Sequence, residues 1–162
     1  MEEKLKQLKI LAQNKEQENK SFFKKFSGKQ KRLLDNLIHQ AHDEVFNYTD
    51  CLECANCCKN LGPRITDRDV DKMAKALKLK PAAITEQYLK TDEDGDMVFK
   101  SMPCPFLMHD NYCMIYESRP KACREYPHTE RTNMVQIKNI TVRNSFTCPA
   151  VFDILELVKK RI

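Results

Sequence analysis

Over residues 1–20, Leu5, Leu8, Leu11 and Ala12 form a narrow apolar stripe at helical spacing, in a background rich in Lys, Glu, Gln and Asn. The pattern predicts an exposed first helix. Phe22, Phe23 and Phe26 follow, with Ser27-Gly28 as the break after them. Three rings so close together either pack the N-terminal arm onto the domain or face a partner. A second helix is predicted over residues 29–47. There Leu34, Ile38, Ala41 and Val45 fall at i, i+4, i+7 and i+11, and Leu33, Leu37 and Phe46 widen the face.

Between residues 58 and 104 the pattern predicts a helical hairpin. Thr66 suits an N-cap, and Asp69 at N3 completes a capping box. Val70, Met73, Ala74 and Leu77 form the buried face, and Lys78 and Lys80 complement the helix C-terminus. Pro81 suits the first position of the next helix, which runs to about Lys90 with Ile84, Tyr88 and Leu89 inward. Asp92, Asp94 and Asp96 match a calcium loop only in part. Met97 stands where that loop needs Gly and Pro103 where it needs Glu, so an acidic turn at Gly95 is expected. Residues 97–101 and 134–142 alternate as short strands do. After Cys148-Pro149, a closing helix has Phe152, Leu155, Val158 and Ile162 on its inner face. The expected fold is mainly α with minor short β. Residues 1–48 form an N-terminal helical extension, and residues 49–162 a second domain with irregular loops.

Composition explains how such loops hold together. A chain of 162 residues suits one ordinary domain, but with 31% charged residues, 8% aromatics and no Trp its core is thin. Its eight cysteines are the obvious staples. Cys51, Cys54, Cys57 and Cys58 spell C-x2-C-x2-C-C, and Cys104, Cys113, Cys123 and Cys148 are spread through the second half. Disulfides suit an oxidising compartment. The N-terminus, Met-Glu-Glu-Lys-Leu-Lys, lacks the apolar core of a signal peptide, and no apolar run approaches the roughly 18 residues of a membrane span. The expectation is therefore a cytoplasmic chain, off the membrane, whose reduced thiols bind metal.

Charge argues against nucleic acid. Eight thiolates take the formal charge of +5 to −3, and two divalent ions return it to +1. Lys24, Lys25, Lys29, Lys31 and Arg32 offer a basic stripe, but acidic residues flank the rest of the helix. A protein partner acting through residues 1–48 stays open. With three glycines and no phosphate-cradling loop, no catalytic residue stands out. The histidines His39, His42, His109 and His128 are weaker metal candidates than the thiols, and solvation or packing is their plainer role.

Adjacent Cys57 and Cys58 diverge on an extended backbone. The pair is expected to divide between two centres, or between two irons of a cluster, or to leave one reactive or structural thiol. That adjacency leans toward an iron–sulfur cluster over zinc. The run matches neither the bacterial ferredoxin spacing nor the two separated knuckles of a zinc ribbon. Proline after Cys104 and Cys148 fixes the chain direction there. Closing a long loop constrains the chain more than a local knuckle does, so at least one centre should join early and late cysteines.

These residues resemble a family. Cys51-x2-Cys54-x2-Cys57-Cys58 is similar to the signature of the CxxCxxCC zinc- or iron-chelating proteins, the YkgJ-like cysteine-cluster family. The likeness continues through Pro103-Cys104-Pro105-Phe106-Leu107, Cys113-x-Ile115-Tyr116-Glu117-x-Arg119-Pro120, Cys123-Arg124-x-Tyr126-Pro127 and Cys148-Pro149, over roughly residues 49–150. It implies zinc or an iron–sulfur centre bound through all eight cysteines. A related pattern in the longer flagellin lysine N-methylases makes an iron–sulfur-dependent redox or methyl-transferring enzyme component the alternative. Arg119 and Arg124, near Cys123, are expected to donate hydrogen bonds to cofactor-bound sulfurs. Their plainer role is an ion pair with Glu117 or Glu125.

Overall fold

The computed structural model describes residues 2–162 and is mainly α. In chain order the elements are α1 Glu2–Lys24, α2 Gln30–Phe46, α3 Cys51–Cys54, α4 Asn56–Asn60, α5 Asp67–Leu77 and α6 Pro81–Tyr88. Next come β1 Leu89–Thr91, β2 Met97–Phe99, α7 Lys121–Glu125, α8 Lys138–Asn144 and α9 Pro149–Lys160, with 3-10 turns at Tyr116–Ser118 and Met134–Ile137. Among the described residues no helix is long and apolar enough to cross a membrane. The chain forms two compact units. The first joins the residues up to Cys54 with Pro127–Ile162, and the second is Ala55–Tyr126. A division at residues 48/49 does not coincide with this one. The stripes of α1 and α2 find their apolar partner in α9, at the far end of the sequence.

In the first unit, Leu34, Ile38, Ala41 and Val45 of α2 are fully buried, as their spacing predicts. They pack with Phe22, Phe23 and Phe26 and with Ala150, Val151, Ile154, Leu155 and Val158 of α9. The three Phe rings therefore belong to the core and offer no aromatic surface. Helix α1 is exposed over most of its length, as expected, with a narrow buried stripe. It buries Leu8, Ala12, Asn19, Phe22 and Phe23, while Leu11 faces solvent. On α9 the buried face runs through Val151 and Ile154, so Phe152 is half-buried and Ile162 is exposed. Residues 134–142 are helical, not a strand. Met134, Ile137, Thr141 and Val142 are the buried positions, and their three- and four-residue spacing is that of a helix face.

Polar side chains of α2 pin the segment before that turn. The Asp35 carboxylate accepts from the N–H groups of Asn133 at 2.7 Å and Met134 at 2.9 Å. His39 Nε2 lies 3.0 Å from the Arg131 carbonyl oxygen, and His42 Nδ1 lies 2.7 Å from Thr129 Oγ1.

The second unit starts from the capping box. Thr66 Oγ1 accepts from the Asp69 N–H at 3.2 Å, and Asp69 Oδ2 accepts from the Thr66 N–H at 2.9 Å. Val70, Met73 and Ala74 of α5 pack on Ile84 of α6, with Leu89, Phe99, Phe106 and Ile115. Helix α6 stops at Tyr88, short of Lys90, because the chain turns into β1. Leu89 pairs with Phe99 across the two-stranded antiparallel sheet, and both side chains join the core. Of residues 97–101 only Met97–Phe99 is strand. The acidic turn forms at Gly95, whose φ of 82° is left-handed. Asp92 Oδ1 accepts from the N–H groups of Asp94 and Asp96, both at 2.9 Å, so this carboxylate is engaged by the turn itself.

Candidate metal centre

The C-x2-C-x2-C-C run is two short helical turns, not an extended strand. Cys51 and Cys54 lie on α3, Ala55 at φ 46° breaks the helix, and Cys57 and Cys58 lie on α4. Adjacent residues on a helix point about 100° apart rather than to opposite faces. Cys57 Sγ and Cys58 Sγ are accordingly 4.0 Å apart. The divergence expected of this pair does not occur. Four sulfurs at about 2.3 Å from one tetrahedral ion are about 3.8 Å from each other, so the separation is close to that of two ligands of one ion.

Cys104 and Cys113 are presented by a small knuckle in the second unit. The Cys104 N–H donates to the Cys58 carbonyl at 2.8 Å, which ties the knuckle to α4. Leu107 and Cys113 form an antiparallel bridge, and the Met108 N–H donates to the Tyr112 carbonyl at 2.8 Å. Asn111, at φ 67°, closes the turn between them. Cys123 sits on α7. Asp69 anchors the start of that helix, its Oδ1 accepting from the Lys121 N–H at 2.9 Å. Burial opposes the charge on Asp69, but hydrogen bonds from Thr66 and Lys121 outweigh it and hold its pKa below the ordinary value. Asp69 was legible as a capping residue. Its hold on a cysteine-bearing helix fifty-two positions away was not.

Electrostatics divides the thiols into two neighbourhoods. In the second unit, burial pushes Cys123 up to about 12, and nearby Cys104, Cys58 and Cys113 push it the same way. Burial likewise raises Cys104 to about 11, with Cys58 and Cys113 adding to the effect, and raises Cys113. Cys58 goes the other way, to about 7. The hydrogen bond with the neighbouring Cys57 thiol is the main cause, and Arg119 also favours its charge. In the first unit, burial raises Cys148 to about 11 and Cys54 and Cys51 reinforce it, against the N–H groups of Val151 and Ala150 at the start of α9. Early and late cysteines thus influence one another electrostatically in both units.

The donor chemistry fits a thiophilic metal. Among the described residues, no three His, Cys, Asp or Glu side chains converge closely enough to hold an ion as they stand. Buried, protonated thiols have no mutual attraction to draw them together. A metal that displaced the protons would supply it.

The arginines differ from each other. The Arg119 guanidinium stacks over the Tyr116 ring at 3.6 Å, and its Nε donates to the Tyr116 carbonyl at 2.7 Å. From there its charge favours the thiolates of Cys58, Cys113 and Cys123. Arg124 donates to the Arg119 carbonyl at 2.6 Å and acts electrostatically on Asp69. Glu125 pairs with Lys121 at 3.7 Å. His39 and His42 are taken up by the 129–131 segment, His109 is exposed, and His128 has left-handed backbone at φ 68°.

Residues 50–149 match the family described as "CxxCxxCC: Putative zinc- or iron-chelating domain". The chain belongs to this family. Comparison with curated proteins finds no match, and neither does comparison with solved structures. Family membership points to zinc or iron chelation, and the chain carries eight cysteines, without a more specific molecular role.

Proposed function

We propose that this CxxCxxCC protein holds zinc or iron through sulfur-only centres, as a binding module and not as a hydrolytic enzyme. Cys58, Cys104, Cys113 and Cys123 are the ligand set of the second unit, with Cys57 beside them. Cys51, Cys54 and Cys148 are the thiol ligands contributed by the first. The observation that carries this reading is the electrostatic proximity of the four thiols from three separate elements of Ala55–Tyr126. The metal would replace their protons and tie α4, the knuckle and α7 together. Arg119 offsets the negative charge that four thiolates leave around a divalent ion.

The lean toward a polynuclear cluster rests on divergence of Cys57 and Cys58. With the sulfurs 4.0 Å apart on one helical turn, a single tetrahedral ion serves equally well. Anaerobic purification, metal analysis and an absorption spectrum test the reading. Zinc gives bound metal with no visible band, and an iron–sulfur centre gives iron, acid-labile sulfide and visible absorption. Absence of zinc and iron from protein purified anaerobically, together with failure to take up either, would overturn it.

A further inference from the structure

Most lysines along α1 are matched by acids. Lys4 pairs with Asp153 at 2.6 Å, Lys15 with Glu18 at 2.8 Å and Lys20 with Glu16 at 2.5 Å. The pattern stops at the end of that helix. Lys24, Lys25, Lys29, Lys31 and Arg32 are all exposed, and no Asp or Glu falls between residues 19 and 34. Among the described residues none of the five has an acidic partner within 4.0 Å. The nearest acid in sequence, Asp35, already accepts from two main-chain N–H groups. A shallow groove runs through this patch, lined by Gly28, Lys29, Lys31, Arg32, Asp35 and Thr132 among others. Leu33, next in sequence to Arg32, is 52% exposed. Five like charges within nine positions repel one another, so the patch costs stability in the free protein. A binding partner of opposite sign relieves that cost.

We propose that this patch on the first unit docks an acidic protein segment that carries an apolar side chain for Leu33. Three observations favour a protein over a nucleic acid or a membrane. Four of the five cations are lysines, which act as point charges and lack the planar fork that grips phosphate bidentately. The neighbouring aromatics Phe22, Phe23 and Phe26 are buried, which removes the stacking platform for bases and the wedge for a bilayer. The five charges lie within nine positions, so the attraction is local to the patch, as for a short complementary segment. The inference does not depend on the metal's identity.

The test uses the full-length, metal-loaded protein and a labelled peptide of alternating glutamate and leucine, read by fluorescence anisotropy. Binding is expected, weakening at least about tenfold between about 0.05 and about 0.5 M salt. The triple variant K29E/K31E/R32E should lose it, with melting temperature and metal content unchanged. Charge reversal at exposed Lys72 and Lys75 of α5 should leave it intact. Should the triple variant misfold, K29Q/K31Q is expected to weaken binding at least about threefold. Parallel arms use a single-stranded oligonucleotide and phosphatidylserine vesicles. No peptide binding, equal loss in the α5 control, or tighter patch-dependent binding to either of those two probes would overturn the proposal.

Discussion

The two units hold themselves together by different means. The first has one continuous apolar cluster, drawn from α1, α2 and α9, with Leu34, Ile38, Ala41, Val151, Ile154 and Leu155 essentially removed from water. The second has a smaller cluster around Met73, Ile84 and Phe106, and beyond it a run of turns from residue 100 to 126. Those turns give the core only Phe106 and Ile115, and they carry three of the thiols, Cys104, Cys113 and Cys123. The contrast teaches that burial and coordination substitute for each other as sources of order. A helix face must bury apolar surface to be stable, whereas a loop with a ligand in it is stable when the ligand is satisfied.

Metal removal should therefore separate the two regions most sharply. Stripping the protein with a chelator, or making Cys123→Ser, is expected to abolish hydrogen-exchange protection over residues 100–126. Protection of α2 and α9 should persist. Structural thiolate sites contribute on the order of 10 kcal/mol where folding is coupled to binding, enough to decide whether such a segment is ordered. Equal protection of residues 100–126 in stripped and loaded protein would break the comparison.

The same experiment run against pH gives opposite slopes. In metal-free protein, the thiol that stays in an ordered unit is Cys148, which burial raises to about 11. The unfolded chain loses this proton near pH 9 while the folded one keeps it, so its contribution to stability is full below about pH 9 and is lost as pH rises toward 11. Loaded protein needs the thiolates and should instead release metal as pH falls. Urea midpoints of the stripped protein from pH 7 to 11, and metal retention from pH 7 to 4, check the two signs.

Leu155→Ala probes the first unit. The side chain is fully buried in the α9 face, and the cavity should cost about 2–5 kcal/mol. A lower denaturant midpoint with an unchanged metal-to-protein ratio is the expected result. Loss of metal in this variant would show that the apolar core, and not local ligation, orders the cysteines.

The helix faces were legible because burial imposes a period. Leu34, Ile38, Ala41 and Val45 on α2, and Val70, Met73 and Ala74 on α5, read directly as buried stripes. The Thr66–Asp69 box and the turn at Gly95 were legible because each is a local arrangement of residues within a few positions. Residues 134–142 misled because Met134, Ile137, Thr141 and Val142 are too few to separate a period of two from one of 3.6. Cys57 and Cys58 misled for a related reason. A two-residue element has no periodicity, so nothing in the run marked α4 as helical. The return of Pro127–Ile162 to the first unit rests on tertiary burial that no local pattern encodes.

Asp69→Asn offers a smaller effect. Losing a charged acceptor from the Lys121 and Thr66 N–H groups should cost about 1–3 kcal/mol. Because the folded pKa of Asp69 lies below the ordinary carboxylate value, its contribution is present at neutral pH and is lost as pH falls through the folded value. The substitution should therefore make the acid limb of stability shallower. An unchanged acid limb would show that α7 is held in place by something other than this carboxylate.

The smallest expected effect lies at the arginines, and it distinguishes charge from geometry. Arg119 reaches the thiols electrostatically while its guanidinium is stacked on Tyr116 and hydrogen-bonded to that residue's carbonyl. Arg119→Lys keeps the charge but gives up the stack and the fork, whereas Arg119→Gln gives up the charge as well. If charge is what matters, Lys should leave metal affinity within about threefold of native. Gln should raise Cys58, Cys113 and Cys123 and shift metal release to higher pH, since the lost cation no longer favours their thiolates. Arg124→Gln serves as the comparison. It removes a bond to the Arg119 carbonyl and a charge that acts on Asp69, so its release profile should follow the native one more closely than that of Arg119→Gln. Equal shifts in the two Gln variants would assign the effect to the loop's shape, because Arg124 holds that loop through the Arg119 backbone oxygen.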